Sequence, residues 1–104
     1  MSIRRYEILL PTRHNDGTPV EPEKHYQTVE ELVTRFEAVS LLHEALGGIW
    51  LHQNTRYEED NLRLFVDVED TDENAAFFTA FKVKLKERFH QIDIWIVSYE
   101  IQIT

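Results

Sequence analysis

Apolar and polar positions alternate along this chain in six stretches, and the period of the alternation changes from one to the next. From Arg5 to Leu10 (RYEILL), Tyr6, Ile8 and Leu10 point one way and Arg5, Glu7 and Leu9 the other, as in a strand with one apolar face. Pro11 ends it. After a long polar stretch, Val29, Leu32, Val33 and Phe36 follow at helical spacing. Thr28 and Glu31 read as a capping box, whose two side chains satisfy free amides at a helix start. The spacing therefore predicts a first helix from Thr28 to about Ser40. Gly48 to His52 (GIWLH) predicts a short second strand, and NTRYEEDN a polar turn. LRLFVDVE, residues 62 to 69, sets Leu62, Leu64, Val66 and Val68 against Arg63, Phe65, Asp67 and Glu69, a third strand. The acidic run EDTDEN then opens AAFFTAFKVKLKERFHQ, where Phe78, Phe81, Leu85 and Phe89 form one helical stripe. Acids at its start and bases at its end suit the helix dipole. DIWIVSYEIQIT closes the chain as a long strand rich in β-branched and aromatic residues.

Strand, helix, strand, strand, helix, strand is the order of a ferredoxin-like βαββαβ plait. This is an α+β fold in which a four-stranded antiparallel sheet carries both helices on one face. With 104 residues the chain has room for one domain, residues 1 to 104, and 42% hydrophobic residues supply its core. There is no cysteine, which excludes a disulfide framework, thiol catalysis and cysteine-based zinc sites and fits a reducing compartment. The apolar run Ile8 to Leu10 is far too short for a signal sequence or a membrane span, so a cytoplasmic protein without a membrane partner is expected. The net charge of -8 repels phosphate backbones and anionic lipid, which argues against nucleic acid as a partner. Lys82, Lys84, Lys86 and Arg88 form the one basic run, and it reads as a solvated helix face.

Two helices cover one side of such a sheet and leave the other side open. Leu9, Trp50, Phe65 and the last strand's Trp95, Val97 and Tyr99 fall on that open side, a large apolar area for a soluble monomer, with Leu9, Phe65, Trp95, Val97 and Tyr99 as the expected interface of a homodimer. A ligand cleft over the same face is the alternative. An RNA platform is disfavoured by Asp67 and Glu69 on the strand that would have to carry a basic-aromatic signature.

Two further segments carry candidate chemistry. Pro11 to Gln27 holds all three prolines, and its Arg13, His14 and Asp16 offer a cation, an imidazole and a carboxylate to a small polar ligand. The same residues also read as a plain surface excursion, with Asn15-Asp16-Gly17 as a turn and Pro19 and Pro22 stiffening it. In WLHQNTRYEEDN, Trp50, His52, Arg56 and Tyr57 cluster, and His52 with Glu58 or Glu59 could form an acid-base pair, although the segment reads equally as a solvated hairpin loop with Trp50 as sheet surface buried by a partner. His14 and His25 with Asp16, Glu21 and Glu23 match no metal-site spacing, and Asp67, Glu69, Asp70, Asp72 and Glu73 lack the glycine and distal glutamate of a calcium loop. No metal or cofactor is implied, and no nucleophile elbow, P-loop or dinucleotide fingerprint occurs.

KLKERFHQIDIWIVSYEIQI, following the WLH and LRLFVDVED strands, is similar to a group of short bacterial α/β-plait proteins of unknown function. The layout also resembles amino-acid-sensing ACT modules and dimeric α/β-barrel enzymes. In an ACT-like protein Asp16-Gly17 would stand in the ligand loop. In a barrel enzyme Trp50, His52 and Phe65 would line the pocket. Two functional expectations follow: a small dimerising binding module, or a cofactor-independent isomerase or monooxygenase-like enzyme using the open face with His14 or His52.

Overall fold

A computed structural model describes the backbone of all 104 residues and the side chains of all but residues 43–52 and 57–60. It contains β1 (Ile3–Pro11), α1 (Pro22–Phe36), β2 (Ser40–His52), β3 (Thr55–Glu69), α2 (Asp72–Arg88) and β4 (Ile96–Ile101). The four strands form one sheet in the order β2-β3-β1-β4, antiparallel at every junction. This is the expected plait.

The alternation of β1 and β3 fixes which side meets the helices. Tyr6, Ile8 and Leu10 pair across the sheet with Val66, Leu64 and Leu62, and all but the half-buried Leu62 are buried. Onto them pack Leu32 from α1 and Phe78, Phe81 and Leu85 from α2, with Phe89 closing the end of α2. Aromatic rings bind the layers: Tyr6 of the sheet stacks on Phe78 at 3.9 Å, and Phe36 of α1 stacks on the same ring at 5.4 Å.

Several boundaries differ from the sequence expectation. α1 starts at Pro22, six residues before Thr28, because proline suits the first helical position, where no amide partner is needed. Thr28 is therefore no cap. It lies inside the helix at 0% exposure, donating to the Lys24 carbonyl (2.8 Å) and accepting from Arg88 Nη1 (2.9 Å). Glu31, the supposed partner in the box, instead pairs with Arg88 Nη2. The helix also stops sooner, at Phe36, where Glu37 turns left-handed (φ 68°) and bonds back to the Val33 carbonyl.

β2 begins at Ser40, not Gly48, and the supposed turn NTRYEEDN is mostly strand. Only Gln53 and Asn54 make the reversal, both with positive φ (49° and 65°), as a two-residue hairpin requires. β1 stops at the pair Pro11–Asn61, so the β2–β3 hairpin runs on past the sheet as a two-stranded arm. α2 is capped by Thr71, whose hydroxyl accepts from the Asn74 amide, which places the acidic run at the helix start as expected. β4 is six residues, half the expected length, although the Trp95 carbonyl still takes the Leu9 amide.

Candidate functional site

The loop between β1 and α1 shrinks to residues 12 to 21 once α1 claims Pro22 to Gln27. Its backbone closes on itself: Val20 donates to Thr12, His14 to Thr18, and Gly17 to His14, with Arg13 and Pro19 bridged. Gly17 has φ 87°, a conformation that side chains rarely adopt. Arg13 Nη1 donates to the Gly17 carbonyl, and Asp16 Oδ1 accepts from both the amide and hydroxyl of Thr18 (2.9 and 2.6 Å). The Thr18 bonds also hold the Asp16 carboxyl below the usual carboxylate range. His14 Nε2 lies 3.2 and 3.3 Å from the two carboxylate oxygens of Glu21, the residue that precedes the first turn of α1. Glu21 is pulled down to about 2, first by its own backbone amide and then by Lys24, which reaches it at 3.2 Å.

Arg13, His14 and Asp16 thus share a loop but not a point. Each holds a different part of the turn or its junction with α1. His25 is likewise structural, bonding the Pro11 carbonyl at 2.9 Å with its ring against Phe89. Trp50 and His52, the other sequence candidates, have side chains outside the described residues. Arg56 is exposed, opposite Leu51 near the end of the arm.

The open face of the sheet is more organised. Cross-strand register arranges it in rows. Asp67, Arg5 and Tyr99 form one; Phe65, Glu7 and Val97 the next; Arg63 and Leu9 a third, which Trp95 continues. Arg5 grips Asp67 with two parallel bonds (2.7 and 3.0 Å), and its guanidinium lies 4.1 Å from the centre of the Phe65 ring. That bonding raises the Arg5 pKa further above its ordinary value. The Tyr99 hydroxyl donates to Glu7 Oε1 at 2.7 Å, which pushes its pKa up, with burial adding to the shift. Around these pairs lie the apolar groups: Trp95 is 64% exposed, Tyr99 43% and Val97 40%, while Leu9 and Phe65 are half-buried.

Sequence reasoning had placed Glu7, Arg63 and Asp67 on this side but assigned them no role, and it missed Arg5 as their partner. The signal was the alternation itself. What was missing was the register that sets Arg5 opposite Asp67. Among the described residues, hollows of about 430 and 440 Å³ lie elsewhere, one where α1 ends beside the start of α2 and one between the two helices around Glu30, Arg35, Phe77 and Lys84.

No protein-family profile and no curated protein matches the chain. Solved structures do. It is similar to the divalent cation tolerance protein CutA1 of Thermus thermophilus, with 19% identity and a TM-score of 0.64 over 98% of this chain and 86% of that one. CutA1 of Ehrlichia chaffeensis matches at 10% identity and a TM-score of 0.63, covering 98% of this chain and 83% of its own. CutA1 of Oryza sativa matches at 7% and 0.66, covering 100% and 84%. At such identities the likeness is one of fold. Over nearly its whole length, this chain has the ferredoxin-like plait that the CutA1 proteins also have.

Proposed function

We propose that this protein is a small binding module that self-associates through the open face of its sheet, with Leu9, Phe65, Trp95, Val97 and Tyr99 in the interface. The observation that carries this reading is the exposure of Trp95, Val97 and Tyr99 side by side on a face that no helix covers. A patch of this kind marks an interaction surface. The described charges on the same face argue for a second copy as the partner. Arg5 and Arg63 balance Glu7 and Asp67 and leave Glu69, opposite Ile3 at the end of β3, so the described charges of this face sum to a single negative charge within a chain of net charge -8. Two copies therefore repel each other across this face less than the net charge of the chain implies.

The test is the solution mass of wild type and of Trp95→Glu by light scattering. A wild-type multimer that the substitution reduces to single chains supports the reading. A monomeric wild type at micromolar to millimolar concentration refutes it.

The names of the structural neighbours speak of divalent cations. The described residues of this chain do not fit such an ion: among them no three histidine or acidic side chains stand close enough to hold one, and His14 with Glu21 is a pair.

A further inference from the structure

One row of the open face is apolar except at a single position. Leu42, Arg63 and Leu9 sit side by side on β2, β3 and β1, and Trp95 continues the row past Leu9. Among these residues Arg63 carries the only charge. Its nearest described acid is Glu7, one row over, and Arg63 Nη1 stops 3.9 Å from Glu7 Oε2. That distance makes an ion pair and no hydrogen bond. The other Glu7 oxygen is already engaged by the Tyr99 hydroxyl. Arg63 Nε is shielded from solvent and has no hydrogen-bond partner.

The contrast with Arg5 is informative. Arg5 meets Asp67 with two good bonds and lies over Phe65. Arg63 has five N–H donors, as any guanidinium does, and a half-buried setting between leucines. Among the described residues the Arg63 guanidinium makes that long ion pair and no hydrogen bond, and with its side chain 35% exposed its outer N–H groups face the open side of the sheet with capacity for a further acceptor.

We propose that Arg63 is the polar anchor of the self-association argued above, its exposed N–H groups taking an acceptor oxygen from a second copy of the chain. The proposal rests on that reading and adds its specificity element. An apolar ladder alone lets two faces slide over each other. A guanidinium that must find an oxygen fixes one alignment, and Leu9, Leu42 and Trp95 around it keep water from competing for the bond. Arginine ringed by apolar contacts is a common arrangement at the energetic centre of interfaces.

The experiment compares the dissociation constants of wild type, Arg63→Met and Arg63→Lys by sedimentation over a dilution series. Methionine keeps an unbranched stem and loses every donor; lysine keeps the charge and loses the planar fork. The expected result is a dissociation constant at least about tenfold higher for Arg63→Met, with Arg63→Lys between it and wild type. An Arg63→Met protein that associates as tightly as wild type overturns the anchor and leaves self-association standing. A monomeric wild type removes the interface itself.

Discussion

Thr28 offers the sharpest check on how α1 is built, because two descriptions of it predict opposite responses to one substitution. In the structure Thr28 lies buried in mid-helix, and its hydroxyl accepts from Arg88 Nη1, a cation whose own side chain is only 9% exposed. Thr28→Val keeps the shape and removes the hydroxyl, leaving Arg88 short of one acceptor. A hydrogen bond to a charged group contributes about 1.5–3 kcal/mol, so the loss is expected in that range. For a domain of this size that lowers Tm on the order of 10 °C. Thr28→Asn separates the two descriptions. At a helix N-cap asparagine ranks with the best residues, and the change would alter stability by a few tenths of a kcal/mol. At a closed interior position it forces in a larger amide and costs about 2 kcal/mol or more. Urea unfolding followed by circular dichroism measures both, with constant m-values confirming that the same surface unfolds. A double-mutant cycle with Arg88→Met adds the coupling, expected at about 0.5–3 kcal/mol. A neutral Thr28→Asn, or strict additivity with Arg88→Met, would refute the buried Thr28–Arg88 link.

Three other outcomes are expected. Phe89→Ala removes a fully buried ring at the end of α2 and should cost about 3–5 kcal/mol in the same urea assay; a loss below about 1 kcal/mol would mean the site collapses freely. Glu21, depressed to about 2 from an ordinary 4.5, contributes stability that is complete above the ordinary value and disappears as pH falls toward about 2. Glu21→Gln should therefore lower stability most on the neutral plateau, flatten part of the acid limb between those values, and converge with wild type as pH approaches about 2. The Tyr99 hydroxyl, raised by its bond to Glu7, favours the fold below the ordinary phenol pKa and loses that contribution as pH rises through the raised value. The ultraviolet difference titration of wild type minus Tyr99→Phe should accordingly show a midpoint above the ordinary 10.0, and a midpoint at or below it would contradict the Glu7 bond.

What the sequence reveals and what it conceals divide along the range of the interactions involved. β1 and the inner part of β3 were legible because one side of each strand is buried and the alternation records it residue by residue. α2 was legible from its phenylalanine stripe and its acidic start. The start of α1 was misread because TVEEL imitates a cap so well that Pro22, the true first-turn signal, passed for loop stiffening. Residues 40 to 47 carry no strand signature of their own; they are strand because they lie against Asp60 to Phe65, a pairing made only when the hairpin closes. The open-face network suffered the same way. Arg5, Glu7, Arg63 and Asp67 were visible as outward residues, but which acid faces which base depends on register between segments some sixty residues apart.

The place of β1 in the sheet has a consequence for how the chain becomes a domain at all. The strand made first lies in the middle, and Ile3 pairs with Glu69 on one side and Ile101 on the other. During synthesis β1 therefore waits for most of the chain before its first flank is covered, and for nearly all of it before the second. Such distant pairings slow folding, since the long loops must close before their contacts form. In the interval the edges of β1 stand open to any extended segment nearby. Arg4, Arg5 and Glu7, three charges in four residues, discourage wrong strands from docking there. In the folded protein Arg4 bonds Asp70 and Ser98, Arg5 bonds Asp67, and Glu7 bonds Tyr99, so the charges that guard the unfinished strand become its fastenings to both neighbours.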